Sequence, residues 1–164
     1  MIRPVVRLPE RVLKQRAAEV EPASVVDLIE DLIETMQISP ACVGLAAPQI
    51  GVSKRVIVVD VTDHPKTTAC HGLVALVDPH VIESSGRELG REGCMSVPDL
   101  TANVARANRI EVAGLLPDGS STILVTEGFE ARAFQHEIDH LNGMLILDRV
   151  ASLATDVFRR RSYK

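Results

Sequence analysis

One stretch constrains this chain more than any other: Phe134 to Gly143 reads Phe-Gln-His-Glu-Ile-Asp-His-Leu-Asn-Gly, with two imidazoles four residues apart and a carboxylate directly after the first. On an α-helix, positions i and i+4 share a face about one turn apart, so His136 and His140 can address one ion without bending the backbone. Glu137 then stands beside the ion, where it can take a proton from an activated water, the division of labour of His-Glu-x-x-His hydrolases. A pattern with three fixed positions also arises by chance, and helical histidines are often ordinary surface or core residues. The flanks argue for a real helix: Thr126, Glu127 and Gly128 supply start signals, Gly143 supplies a stop, and Phe129, Ala133, Phe134, Ile138 and Leu141 are the apolar positions between.

A catalytic site of this type has three protein ligands and one open position. After His140 there is no Glu and no His, only Asp148 and Asp156, which disfavours a zincin with a downstream glutamate. Ile146 stands where a metzincin would carry its third histidine. The third ligand is therefore expected upstream. Three cysteines, Cys42, Cys70 and Cys94, cannot all pair within the chain. Cys94 is the best third ligand: it lies in Gly90 to Pro98, between Gly93 and a Pro-bounded segment, on backbone read as irregular or strand-edge, where a thiol can face a cleft. The bland alternative is a small buried hydrophobe, the commoner fate of a free cysteine. Cys70 and His71 follow a polar run from His64 to Ala69 and read as part of a surface loop.

A chain of 164 residues fits one domain, 1–164, with a sizeable core. Aromatic residues are only 2% and Trp is absent, so that core must be built from Val, Leu, Ile and Ala. A net charge of −4 gives no reason to expect DNA or other nucleic-acid binding. No apolar run is long enough to span a membrane, and Met1 to Glu10 lacks the apolar centre of a signal peptide, so a cytoplasmic protein is expected. Val25 to Met36 has helical periodicity, with Ser24 as the predicted N-cap. Arg55 to Val61 reads as a buried strand, Leu73 to Val77 and Val81 to Glu83 as two more, and Ile110 to Leu115 with Ser121 to Val125 as a hairpin about Pro117-Asp118-Gly119. Strands in the middle and helices towards the ends predict an α+β fold: mainly antiparallel sheets packed around a C-terminal metal-binding helix, with an N-terminal helix.

Three stretches together, Cys42-Val-Gly-Leu-Ala-Ala-Pro-Gln49, Glu92-Gly-Cys-Met-Ser96 and Gln135-His-Glu-Ile-Asp-His140, resemble the motifs of the peptide deformylase family, in family order and over nearly the whole chain. The resemblance implies removal of the formyl group from N-formylmethionine on new polypeptides, with release of formate. It implies Cys94, His136 and His140 as ligands of one divalent metal ion, natively ferrous iron, with zinc or nickel able to replace it. By the same resemblance Glu137 is the general base and acid, and Gln49 and the Met95 N–H stabilise the oxyanion. Backbone groups of Val43, Gly44 and Gly93 align the peptide as an added strand. The methionine side chain enters a pocket near Val43, Met95, Phe129, Ala133 and His136. Arg132 is either a border of that pocket or a solvated helix-face arginine, and Arg106 matches a family arginine able to pair with Glu92.

The sequence departs from the family pattern at Cys42 and Met95, where the family usually has Gly and Leu. If the family glycine uses a positive φ, Cys42 would be strained and the local substrate geometry altered; its thiol could also be oxidisable. The competing readings are a small metallopeptidase and a deformylase-like metal-binding protein without activity. At the other end, Arg159 to Lys164 is read as a solvated tail, with ribosomal RNA contact as the alternative.

Overall fold

The computed structural model describes residues 1–161. After a short 3-10 turn at Pro22–Ser24, helix α1 spans Val26–Ile38. Ser24 does not cap it: its hydroxyl donates to the Glu21 carbonyl at 2.7 Å, and Val25 occupies the cap position. The turn satisfies that hydroxyl locally, so the predicted start lies one residue too early.

Eight strands follow as β1 (Gly44–Ala46), β2 (Val56–Val59), β3 (Val74–Ser85), β4 (Glu88–Cys94), β5 (Val97–Arg106), β6 (Arg109–Leu115), β7 (Ser121–Glu127) and β8 (Val157–Arg159). Helix α2 (Gly128–Leu141) and the short helix α3 (Ile146–Arg149) lie between β7 and β8. The strands form two antiparallel sheets, β1-β2-β3-β6-β7 and β4-β5-β8. This is the predicted α+β architecture, and the hairpin of β6 and β7 closes around Pro117-Asp118-Gly119 as expected.

β2 explains why its sequence is apolar without alternation. Successive side chains point to opposite faces; Ile57 and Val59 pack with Phe134, Ile138 and Leu141 of α2, whereas Val56 and Val58 pack with Ile29, Leu32 and Met36 of α1. Both faces of the strand are covered, so both must be apolar. α2 is held at its end by Gly143, whose φ of +73° stops the helix and whose missing side chain leaves room for the Lys14 backbone.

One strand prediction needs correction. Val74–Val77 and Val81–Glu83 belong to the single strand β3, because a register shift at Asp78 and Pro79 absorbs what reads as a break; Asp78 takes φ +51° there, and Leu73 lies just outside the strand. Within Gly90–Pro98 the strand-edge reading holds: the edge strand β4 pairs with β5 from Glu88↔Arg106 to Gly93↔Thr101 before a register shift leads to Cys94 and a turn at Met95–Ser96. Its glycines weaken the strand signal, and the pairing is supplied by a partner strand with no sharp pattern of its own.

Candidate metal centre and its cleft

Cys94 ends β4, and His136 and His140 project from successive turns of α2, so the two sheets and the helix meet where the three side chains converge. Their donor atoms all lie within 4.8 Å of one another, and Cys94 Sγ is 3.4 Å from His140 Nε2. Ligands placed tetrahedrally at the usual Zn–N and Zn–S lengths would be about 3.3–3.8 Å apart, so this set needs only small closure around an ion. Beside it, the buried Glu137 leaves Oε1 without a hydrogen-bond partner, as a carboxylate reserved for a bound water would. The donor set and the orphaned oxygen fit a catalytic metal.

His136 has a physical support that His140, whose Nδ1 is buried without a hydrogen-bond partner, does not. His136 Nδ1 lies 2.8 Å from Glu92 Oε1, which turns the other ring nitrogen towards Cys94 and His140. Glu92 is itself gripped by Arg106 through Nε (3.0 Å) and Nη2 (2.9 Å), and by Arg132 Nη1 (2.6 Å). Arg106 also donates to Asp139 at 2.5 Å, and Arg149 clasps the same carboxylate at 2.8 and 3.0 Å. Burial opposes the charge on Glu92, but His136 and Arg106 outweigh it and hold the carboxyl well below its ordinary range. Burial, with the Arg106 charge adding to it, holds His140 well below its ordinary range and so neutral, as a ligand must be. Burial pushes Glu137 up to about 7, with Glu92 and Asp139 adding to it and His136 and Arg106 opposing it.

The metal ligands open onto a cleft of about 850 Å³, lined by Val43, Gly44, Gln49, Gly93, Cys94, Met95, Phe129, Ala133, His136 and Glu137. The tertiary structure thus gathers every site residue named from the sequence; His140 stands behind the wall, 1% exposed. Gln49 is locked by accepting the Ala46 N–H at 3.1 Å, which aims its Nε2 at Ser96 Oγ (3.2 Å) and Cys94 Sγ (3.6 Å). Gly44 is required by contact: a Cβ there would lie 2.7 Å from Glu137 Oε2.

Other wall residues escape a sequence reading. His64 stacks on Phe129 with ring centroids 4.1 Å apart, and Lys66 and Arg160 also line the cleft. Nothing in the polar run around His64 marks it as cleft-forming. Arg159 lies in β8 and Arg160 approaches Gly93 so closely that a Cβ there would clash with its guanidinium. Arg160 is therefore not part of a solvated tail, whereas Arg159, although in a strand, is exposed; Ser162 to Lys164 lie outside the described residues. Arg132 is likewise no solvated arginine, since it also donates to the Val104 and Glu88 carbonyls at 2.8 Å. His71, expected in a surface loop, does lie in one, with Nδ1 2.5 Å from the buried Glu130. Among the described residues, only Cys94, His136 and His140 form a metal-binding group.

Cys42 is not strained. Among the described residues other than glycine, only Ala41 (φ +57°) and Asp78 have positive φ. The Cys42 thiol donates to the Gly44 carbonyl at 3.1 Å, and burial together with Glu137 pushes its pKa from 9.0 up to about 12. Because the thiolate is the reactive form, that rise leaves about a thousandth of the unfolded chain's thiolate at pH 8. Native Cys42 is thus expected to resist iodoacetamide at pH 8, as read by peptide mapping, and to label readily once the chain is unfolded. Equal labelling in the two states would show that the thiol is not shielded.

A three-ligand centre with a buried carboxylate alongside it, on an antiparallel α+β frame, defines a metal-dependent hydrolase. The polypeptide deformylase family model matches residues 2–156. Curated peptide deformylases from Halothermothrix orenii and Dictyoglomus thermophilum are 43% and 45% identical, covering 92% and 91% of this chain and 95% and 93% of their own lengths. The crystal structure of a peptide deformylase from Legionella pneumophila superposes with a TM-score of 0.84 at 38% identity, covering 93% of this chain and 88% of the other. A Met-Ala-Ser-bound class I type b peptide deformylase from Acinetobacter baumannii gives the same TM-score and identity over 91% and 99%. The chain belongs to the peptide deformylase family.

Proposed function

We propose that this chain hydrolyses the formyl amide of N-formylmethionine at the start of newly made polypeptides, releasing formate and a free amino terminus. The observation that carries this reading is the convergence of Cys94, His136, His140, Glu137 and Gln49 on one cleft. Residues 1–164 act as a single catalytic domain. Cys94, His136 and His140 would hold the metal, which would supply the Lewis acidity that polarises the formyl carbonyl and makes water a usable nucleophile near neutral pH. Glu137 takes the proton of the attacking water on its free oxygen and later gives it to the departing amine nitrogen. Gln49 Nε2 and the Met95 N–H donate to the formyl oxygen as it gains negative charge; loss of one such donor typically costs about 10²–10³ in kcat.

β1 and β4 are edge strands of their respective sheets, so backbone groups at Val43, Gly44 and Gly93 are available to a peptide lying between them. Phe129 and Ala133, on the same stretch of α2 as His136, form the methionine pocket. The native metal is ferrous iron, with zinc or nickel able to occupy the site. A thiolate ligand donates more charge than imidazole and weakens a Lewis acid, which favours an ion that expands its coordination readily.

Anaerobically prepared apoprotein loaded with iron, zinc or nickel is expected to release formate from formyl-Met-Ala-Ser, fastest with iron and with loss of that advantage in air. Casein cleavage without formate release would favour the metallopeptidase reading; equal rates for iron and zinc would remove the thiolate argument. No described helix is long and apolar enough to cross a membrane. The activity places the chain in the cytoplasm, where formylated chains are made. At the basic end, the exposed Arg159 and Arg161 contact ribosomal RNA transiently as those chains emerge. Ribosome co-sedimentation is then expected to weaken with salt and on Arg161→Gln, and insensitivity to both would dispose of the RNA contact.

A further inference from the structure

Helical geometry gives α2 a second face. His136, Glu137 and His140 point to the metal cleft, while Gln135, Ile138, Asp139 and Asn142 line a separate cavity of about 520 Å³ on the other side. Five arginines from five parts of the chain also line it: Arg16 ahead of α1, Arg55 ahead of β2, Arg87 in the β3–β4 turn, Arg106 at the end of β5 and Arg149 at the end of α3. The one carboxylate in the lining, Asp139, is already held by Arg106 and Arg149.

Arg16, Arg55 and Arg87 have no carboxylate within ion-pair distance among the described residues. Arg16 donates to the Asn142 side-chain oxygen at 3.2 Å, and the buried Arg55 donates to the Leu141 carbonyl at 2.9 Å, so both are steered inward by neutral partners. Burial and the charge of Arg16 pull the Arg55 pKa down, and the more distant Asp78 and Glu19 offset this only in part. In a chain of net charge −4, three such cations around one hollow are a local excess that an anion would relieve.

We propose that this cavity binds a compact polyanion through its phosphoryl groups. A single carboxylate would neutralise one of the three free guanidiniums, whereas a diphosphate brings several charges and enough oxygens for more than one planar guanidinium fork. The volume falls within the usual range of small-molecule pockets, about 300–1,000 Å³. The same phosphoryl chemistry is offered by free di- and triphosphates and by the backbone of a single RNA strand.

The probe is pyrophosphate, titrated calorimetrically into zinc-loaded full-length enzyme at low and high salt, with zinc content measured afterwards. The comparison is the double variant Arg16→Gln, Arg87→Gln, which alters two exposed side chains outside the metal cleft and should keep kcat/KM for a formyl-Met peptide within twofold. The expected result is saturable one-to-one binding that weakens with salt and weakens at least tenfold in the double variant. Pyrophosphate captured by the zinc instead would bind wild type and variant alike, and that outcome, like the absence of saturable binding, overturns the proposal. In a second arm, a short RNA strand that competes with pyrophosphate in wild type assigns the site to RNA phosphates. RNA that does not compete assigns it to free anions.

Discussion

Glu137→Gln is expected to retain the metal and to lose about 10²–10⁴ in kcat, the range typical of general acid–base catalysis. The amide is nearly isosteric with the carboxylate, so it preserves the contact with Gly44, and Glu137 is not among the three ligands. What it removes is the proton-accepting oxygen that is buried without a partner. His140→Ala and Cys94→Ala should differ in kind, losing metal as well as turnover. Metal analysis alongside formate release separates the two classes of variant. A Glu137→Gln enzyme with near wild-type kcat would remove Glu137 from the role of base.

Arg106→Met should have the largest effect on stability of any change outside the ligands. Arg106 is 5% exposed and joins two carboxylates, Glu92 and Asp139, that are 7% and 6% exposed. Removing one member of a buried ionic cluster typically costs about 3–5 kcal/mol, because the remaining charges stay out of water. Arg132 still holds Glu92, and Arg149 still holds Asp139, which puts the cost near the lower end, about 3 kcal/mol. For a domain of this size that corresponds to a fall in Tm of about 6–12 °C, measurable by calorimetry.

The cluster has a pH signature of definite sign. The Glu92 carboxyl is held below its ordinary value of 4.5, so its contribution to stability is complete above that pH and is lost as pH falls below it. Arg106→Met weakens that depression and should flatten the acid-side loss of stability. Because Glu92 orients His136, the same variant is also expected to bind metal about 10–100-fold more weakly. An unchanged Tm together with unchanged metal affinity would mean that the ionic cluster does not support the site.

The parts of this protein legible in its sequence are those determined by short-range geometry. His136 and His140 had to share a helix face because they are one turn apart, and the β6–β7 hairpin had to turn at Pro117-Asp118-Gly119 because those residues favour it. The missing downstream ligands pointed upstream to Cys94, and the resemblance added Gln49, which no local rule connects to the helix. The tertiary structure alone decided the remainder. Gly90 to Cys94 became strand because β5 pairs with it, and Cys42 escaped strain because the positive φ falls on Ala41. Arg160 was carried to the cleft by the pairing of β8 with β5. Glu92, Arg106, Asp139 and Arg149 are scattered over nearly 60 residues of chain, yet they form one ionic cluster behind His136. Periodicity and turn chemistry act over a few residues, whereas the partners that neutralise a buried charge are set by which distant segments the fold brings into contact.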